Sequence, residues 1–201
     1  NIRFSIECNF ACLTCGPSWS TGWNKYIIGP KGPNLKIEDN SKESVWEQIK
    51  EHLPTVDEIY FTGGEPLMKH AQLCTMEVMQ HYLDDGDWPK FTTYETNGTQ
   101  EPRAEFVEFW KNYPVELMIS CSPKLFTVAG ETTKRAIRPE TVAKYMEFSD
   151  KGYLKFVLTG HKHAGDELDE TVKKFREAGV EWPIWIMPSG ATVEGQQVHD
   201  G

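Results

Sequence analysis

Cys8, Cys12 and Cys15 form a CxxxCxxC run in a loop rich in Gly, Pro and Ser, directly after the apolar stretch 2–6. Three thiolates this close can ligate three irons of one 4Fe–4S cluster, which leaves the fourth iron open to a bound molecule. A structural zinc site calls for a fourth Cys or His close by. The nearest His is His52, and no second CxxC exists. A zinc- or thiol-based binding module without catalysis is therefore the rival reading from outside enzymology.

Four further short motifs carry polar groups beside glycine or proline: Thr62-Gly63-Gly64-Glu65-Pro66, Glu95-Thr96-Asn97-Gly98-Thr99, Ser122-Pro123-Lys124 and Met187-Pro188-Ser189-Gly190-Ala191-Thr192. A glycine pair lets a backbone approach a ligand closely, and a neighbouring carboxylate can accept hydrogen bonds from an ammonium group. Each motif alone also reads as ordinary turn chemistry, and Glu95 reads equally as a site carboxylate or a turn stabiliser. Cys74, beside Leu73 and Met76 in an amphipathic stretch, reads as a small core residue, and Cys121 reads as structural on the same ground. His161 and His163 read as a solvated loop without further ligands. Trp182 and Trp185 read as packing residues, and the DDGD and DELDE runs as solvated caps and faces.

The elements that must position these motifs alternate regularly. Strands are expected at 2–6, 58–62, 90–96, 115–122, 153–159 and 182–188, and helices at 42–53, 71–85, 103–113, 140–151 and 166–179. Asp39 or Ser41 would cap the first helix and Pro102 would open the third. Gly86, Gly152 and Gly179 would stop theirs. Six strand–helix units, lacking only a last helix, imply an α/β fold with helices packed outside a parallel sheet: a partial (βα)6 barrel with parallel strands, or an open doubly wound sheet, the apolar strands suiting a sheet covered on both faces. In either case the site lies at the carboxyl ends of the strands, where every motif above falls.

CxxxCxxC after the first strand with GGEP after the second resembles the radical S-adenosylmethionine (SAM) superfamily. The later motifs, in their order and placement, together with KFVLT and EGQQV, resemble the 7-carboxy-7-deazaguanine synthase family of queuosine and 7-deazapurine biosynthesis. The resemblance implies a lyase that converts 6-carboxy-5,6,7,8-tetrahydropterin to 7-carboxy-7-deazaguanine with loss of ammonia. It implies that Cys8, Cys12 and Cys15 hold the cluster and that SAM chelates the open iron. Reductive cleavage of SAM would then give a 5′-deoxyadenosyl radical that abstracts hydrogen from the substrate. Carried onto matching positions, it implies SAM contacts from Thr14, Gly16, Gly63, Gly64, Glu65, Pro66, Asn97, Ser122, Pro123, Lys124, Met187, Pro188, Ser189 and Gly190. Substrate contacts would come from Arg3, Thr62 and Glu95. No side chain is assigned a catalytic role beyond the cluster and SAM. Pro17 stands where the family often places a magnesium-binding hydroxyl, so Mg2+ would fall to Ser18 or Ser20. Flavodoxin or ferredoxin would be the electron donor, and a homodimer is the implied assembly. The altered loop after Cys15 also resembles other radical SAM enzymes, such as peptide-modifying or activating ones.

Composition bounds the remaining classes. Hydrophobic residues make up 39% and charged residues 25% of 201, as in globular chains. The net charge of −9 argues against direct nucleic-acid binding, which needs a basic face. No run of about 18 apolar residues marks a membrane span. Five cysteines, three of them clustered, suit a reduced cytoplasmic protein rather than a disulfide scaffold. The chain reads as a single domain over 1–201, trimmed at both ends: it opens at Asn1, and it lacks the family's N-terminal substrate loop and C-terminal tail.

Overall fold

Stretches rich in Thr, Ile and aromatic residues suit the pleated surface of a sheet. In a computed structural model describing residues 56–62, 64–86 and 89–189, five of them form one parallel sheet. Its strands are β1 (Glu58–Phe61), β2 (Phe91–Thr96), β3 (Glu116–Cys121), β4 (Lys151–Leu158) and β5 (Ile184–Pro188), side by side in chain order. Helix α1 (Lys69–Asp85) links β1 to β2, α2 (Ala104–Asn112) links β2 to β3, and α6 (Ala164–Glu177) links β4 to β5. Between β3 and β4 run two single turns, α3 (Phe126–Ala129) and α4 (Thr133–Ala136), and then α5 (Pro139–Tyr145). Among the described residues the strand order never reverses. These five strands show no switch point of a doubly wound sheet and follow the winding of a barrel. The expected strand 2–6, the helix 42–53 and the cysteine loop, with Arg3, Thr14, Gly16, Ser18 and Ser20, lie outside the described residues, as do Gly63 and Gly190.

The helix ends obey local chemistry. Gly86 adopts φ 72°, and its N–H reaches back to the carbonyls of Tyr82 and Leu83, closing α1. Helix α6 carries Asp166 and Glu167 in its first turn and Lys174 and Arg176 in its last, matching the helix dipole at both ends. Among the described residues no helix is long and apolar enough to cross a membrane.

Alternation along the strands separates two faces. On one, Phe61, Tyr94, Ile119, Leu154 and Phe156 are fully buried against the helices. Tyr94 stacks on Phe61 at 4.8 Å and meets Phe106 and Trp110 of α2 edge-on, each at 5.7 Å. Each such ring stabilises the fold by about 2–3 kcal/mol through burial alone. The other face carries Tyr60, Thr93, Glu95, Ser120, Tyr153 and Lys155, none of which joins the apolar core. This corrects the expectation of strands apolar on both faces: among the described residues the second face is polar. On β5, Trp185, Ile186 and Met187 are mainly or half exposed.

A second correction concerns residues 140–151. Helix α5 ends at Tyr145, and β4 begins at Lys151, pairing with Met118. Ser149 causes the early stop. Its Oγ lies 2.7 Å from the Leu117 carbonyl and 2.8 Å from that of Lys151, binding the turn to β3. Lys151 then pairs with Glu116 across the strands. Gly152 is therefore no helix stop. It sits inside β4, where a Cβ would come within 2.6 Å of the Trp182 ring. Trp182 is a packing residue as expected, 4% exposed, whereas Trp185 is 61% exposed and is not. Gly152→Ala forces a methyl into that rigid ring and lowers stability by about 1–3 kcal/mol, read from urea unfolding midpoints.

Candidate active site

Three of the motifs predicted at strand ends, those at 62–66, 95–99 and 122–124, meet around one buried carboxylate. Glu65 follows β1 after Gly64, whose φ of 55° turns the chain. Its side chain is 2% exposed. Oε1 accepts from the Leu67 N–H at 3.0 Å and the Thr96 hydroxyl at 2.7 Å, and Oε2 accepts from the Asn97 N–H at 2.7 Å. The carboxylate thus fastens the GGEP turn to the end of β2. Burial raises its pKa, and the three hydrogen bonds and the Lys124 charge offset part of that rise.

The next two strand ends lock onto this one. Asn97 Oδ1 accepts from the N–H of Thr99 at 3.1 Å and from its hydroxyl at 2.6 Å, a local turn of the Asx kind. Gly98 has φ 79°, and a Cβ there would lie 2.7 Å from Cys121 Sγ and 3.0 Å from Val142. Cys121 is buried, its thiol pKa pushed up by that burial, so it packs rather than reacts. Gly98→Ala therefore meets both backbone strain and a clash. It lowers stability by about 2–4 kcal/mol by denaturant unfolding, and Cys121→Ala in the same chain recovers only the share owed to the Sγ contact. At the end of β3 the Ser122 N–H donates to the Thr96 carbonyl at 2.7 Å, and Lys124 Nζ donates to Ser122 Oγ at 3.1 Å. Pro123 between them is buried. After β5 the Ser189 N–H reaches the Leu158 carbonyl at 2.6 Å, drawing Met187 and Pro188 to the end of β4.

Below these ends, on the polar face, Lys155 forms an ion pair with Glu95 Oε1, and the Thr62 hydroxyl donates to Glu95 Oε2 at 3.2 Å. Tyr60 stands beside them, its pKa pushed up to about 12 by burial and then by the Glu95 charge, so its hydroxyl keeps its proton at neutral pH. The motifs pointed to Thr62 and Glu95 and gave no role to Tyr60, Tyr153 or Trp185, nor to Lys155, which opens the KFVLT stretch. A usable signal was present: Lys155 sits between Leu154 and Phe156, both fully buried, which in a strand turns the charge to the opposite face. A groove of about 810 Å³ lies elsewhere, lined by Glu101, Lys134, Arg138 and Lys174 among others, and shares no residue with this site. His161 and His163 are exposed in the loop before α6, their ring centroids 5.6 Å apart.

Residues 2–194 match the radical SAM superfamily, and the chain belongs to it. Enzymes of this family use a 4Fe–4S cluster and SAM. Streptococcus suis SuiB bound to S-adenosylmethionine has the same fold, with a TM-score of 0.53 at 18% identity, covering 96% of this chain and 41% of that one. So has SuiB bound to its precursor peptide SuiA, at 0.53 and 18%, covering 98% of this chain and 40% of that one. Native anSMEcpe with bound AdoMet gives 0.60 at 16%, covering 96% of this chain and 54% of that one. The chain thus spans about half or less of the length of these proteins. No curated protein matches it. The described strand ends fit SAM in kind: the left-handed Gly64, the half-buried Lys124 ammonium and the gathered backbone groups suit a ligand carrying both amino and carboxylate charge.

Proposed function

We propose that this chain is a radical SAM carbon–nitrogen lyase that converts 6-carboxy-5,6,7,8-tetrahydropterin to 7-carboxy-7-deazaguanine and ammonia, a step of queuosine and 7-deazapurine biosynthesis in the cytoplasm. The observation that carries the reading is the Glu95–Lys155 pair with Thr62, on the sheet face just below the strand-end motifs. It offers charged acceptors and donors to a small polar heterocycle. Cys8, Cys12 and Cys15 hold the cluster. Thr14, Gly16, the Gly63–Pro66 turn, Asn97, Ser122–Lys124 and Met187–Gly190 hold SAM. When bound, these two groups supply the hydrogen-abstracting radical. Glu65 acts by fixing the turn, since both its oxygens are taken by the chain's own donors. Arg3 receives the substrate carboxylate, and Ser18 or Ser20 holds Mg2+ if the reaction uses it. Flavodoxin or ferredoxin delivers the electron, and the working form is a homodimer.

The test is anaerobic reconstitution with iron and sulfide, followed by reaction with dithionite, SAM and the carboxy-tetrahydropterin, products being read by mass spectrometry. Appearance of 5′-deoxyadenosine together with the deazapurine acid is the expected result. The rival is a peptide-modifying enzyme, favoured by the likeness to SuiB bound to a precursor peptide. 5′-Deoxyadenosine without the deazapurine would turn the assignment toward it.

A further inference from the structure

We infer that Lys155 and Trp185 determine which substrate this site accepts, by seating the pyrimidinone half of a planar bicyclic heterocycle. The inference rests on the lyase reading above and adds two residues to it.

Register fixes their placement. Lys155 pairs with Trp185 across β4 and β5, while Glu95 pairs with Ser120 and Ser120 with Tyr153. All five therefore share the face turned away from the apolar core. The Lys155 and Glu95 side chains are 20% and 32% exposed. A half-buried ion pair of this kind adds little to stability, because desolvation offsets most of the attraction. Packing alone thus gives no reason for charge here.

The chemistry of the pair does. Lys155 has three N–H donors and gives one to Glu95. Each Glu95 oxygen accepts one bond, from Lys155 or Thr62, and keeps a lone pair. The pair therefore offers two acceptors on the carboxylate and, beside Oε1, a donor. A 2-amino-4-oxopyrimidine edge presents the complement: two N–H donors and a carbonyl oxygen. The two N–H groups meet the carboxylate, and the ring oxygen meets the Lys155 ammonium. Trp185 supplies the stacking surface. It is level with Lys155, 61% exposed, and leans on Tyr153 at 5.5 Å and 42°. A flat ring laid over the Lys155–Glu95 pair would cover the indole, which otherwise stays in water.

The test measures equilibrium binding of 7-carboxy-7-deazaguanine, and of its analogue lacking the ring carbonyl oxygen, to the reconstituted holoenzyme, alongside steady-state kinetics with the pterin. Lys155→Met and Trp185→Ala each weaken binding of the acid by about tenfold or more and raise KM more than they lower kcat. Wild type prefers the acid over the analogue by about tenfold, and Lys155→Met loses that preference. Lys155→Arg and Trp185→Phe restore affinity to within about threefold of wild type. Unchanged affinity and KM in Lys155→Met and Trp185→Ala, with wild type binding and turning over, overturns this inference and leaves the lyase reading standing. A wild-type holoenzyme that neither binds nor converts the pterin overturns both.

Discussion

Cys12→Ala yields a protein that, after reconstitution with iron and sulfide, gives neither 5′-deoxyadenosine nor deazapurine above background. The cluster needs three thiolates, and the CxxxCxxC run supplies three with none to spare. Iron and sulfide per chain fall with the activity. Cys74, on α1, belongs to neither the loop nor the strand ends, so Cys74→Ala leaves iron loading at the wild-type level. Iron retained in Cys12→Ala, with SAM cleavage intact, would remove the cluster from this loop.

The largest expected effect on folding comes from Glu65→Ala. The change leaves the N–H groups of Leu67 and Asn97 and the Thr96 hydroxyl without their buried acceptor, at a cost of about 3–5 kcal/mol in unfolding free energy. Glu65→Gln keeps one acceptor oxygen and costs less. The charge state sets a further sign. Burial raises the folded-state pKa of Glu65 above its unfolded value. Its titration therefore contributes stability that is present below the ordinary carboxylate range and is lost as pH rises through the raised folded value. Glutamine does not titrate. The melting difference between wild type and Glu65→Gln consequently favours wild type most on the acid side and shrinks toward neutral pH. A difference that grows with pH instead would mean that the hydrogen bonds outweigh burial.

Most of the architecture was legible before the structure because period and punctuation agreed. Strands 58–61, 91–96 and 116–121 lie within one or two residues of their expected spans, and Gly86 and Gly179 close the helices they follow. What misled was residue chemistry whose cause is tertiary. Gly152 has a helix-stop's neighbours in sequence, but its lack of a Cβ answers to the Trp182 ring, thirty residues away. Residues 124–139 read as loop because two four-residue turns are too short to show a period. The motifs gave Glu65 as a ligand-facing carboxylate. Its pairing with Thr96 and Asn97 needs β1 and β2 adjacent, which only the sheet order supplies. Lys155 was passed over for the same reason. Its meaning comes from Glu95, sixty residues earlier and on the far side of the intervening β3.

The most direct test of the lyase account follows hydrogen itself. The carboxy-tetrahydropterin, with its carbon-bound hydrogens replaced by deuterium, is given to the reconstituted enzyme with unlabelled SAM and dithionite, and the 5′-deoxyadenosine is weighed by mass spectrometry. The account predicts 5′-deoxyadenosine carrying substrate deuterium, formed together with 7-carboxy-7-deazaguanine. Unlabelled 5′-deoxyadenosine, with the pterin recovered intact, would contradict it.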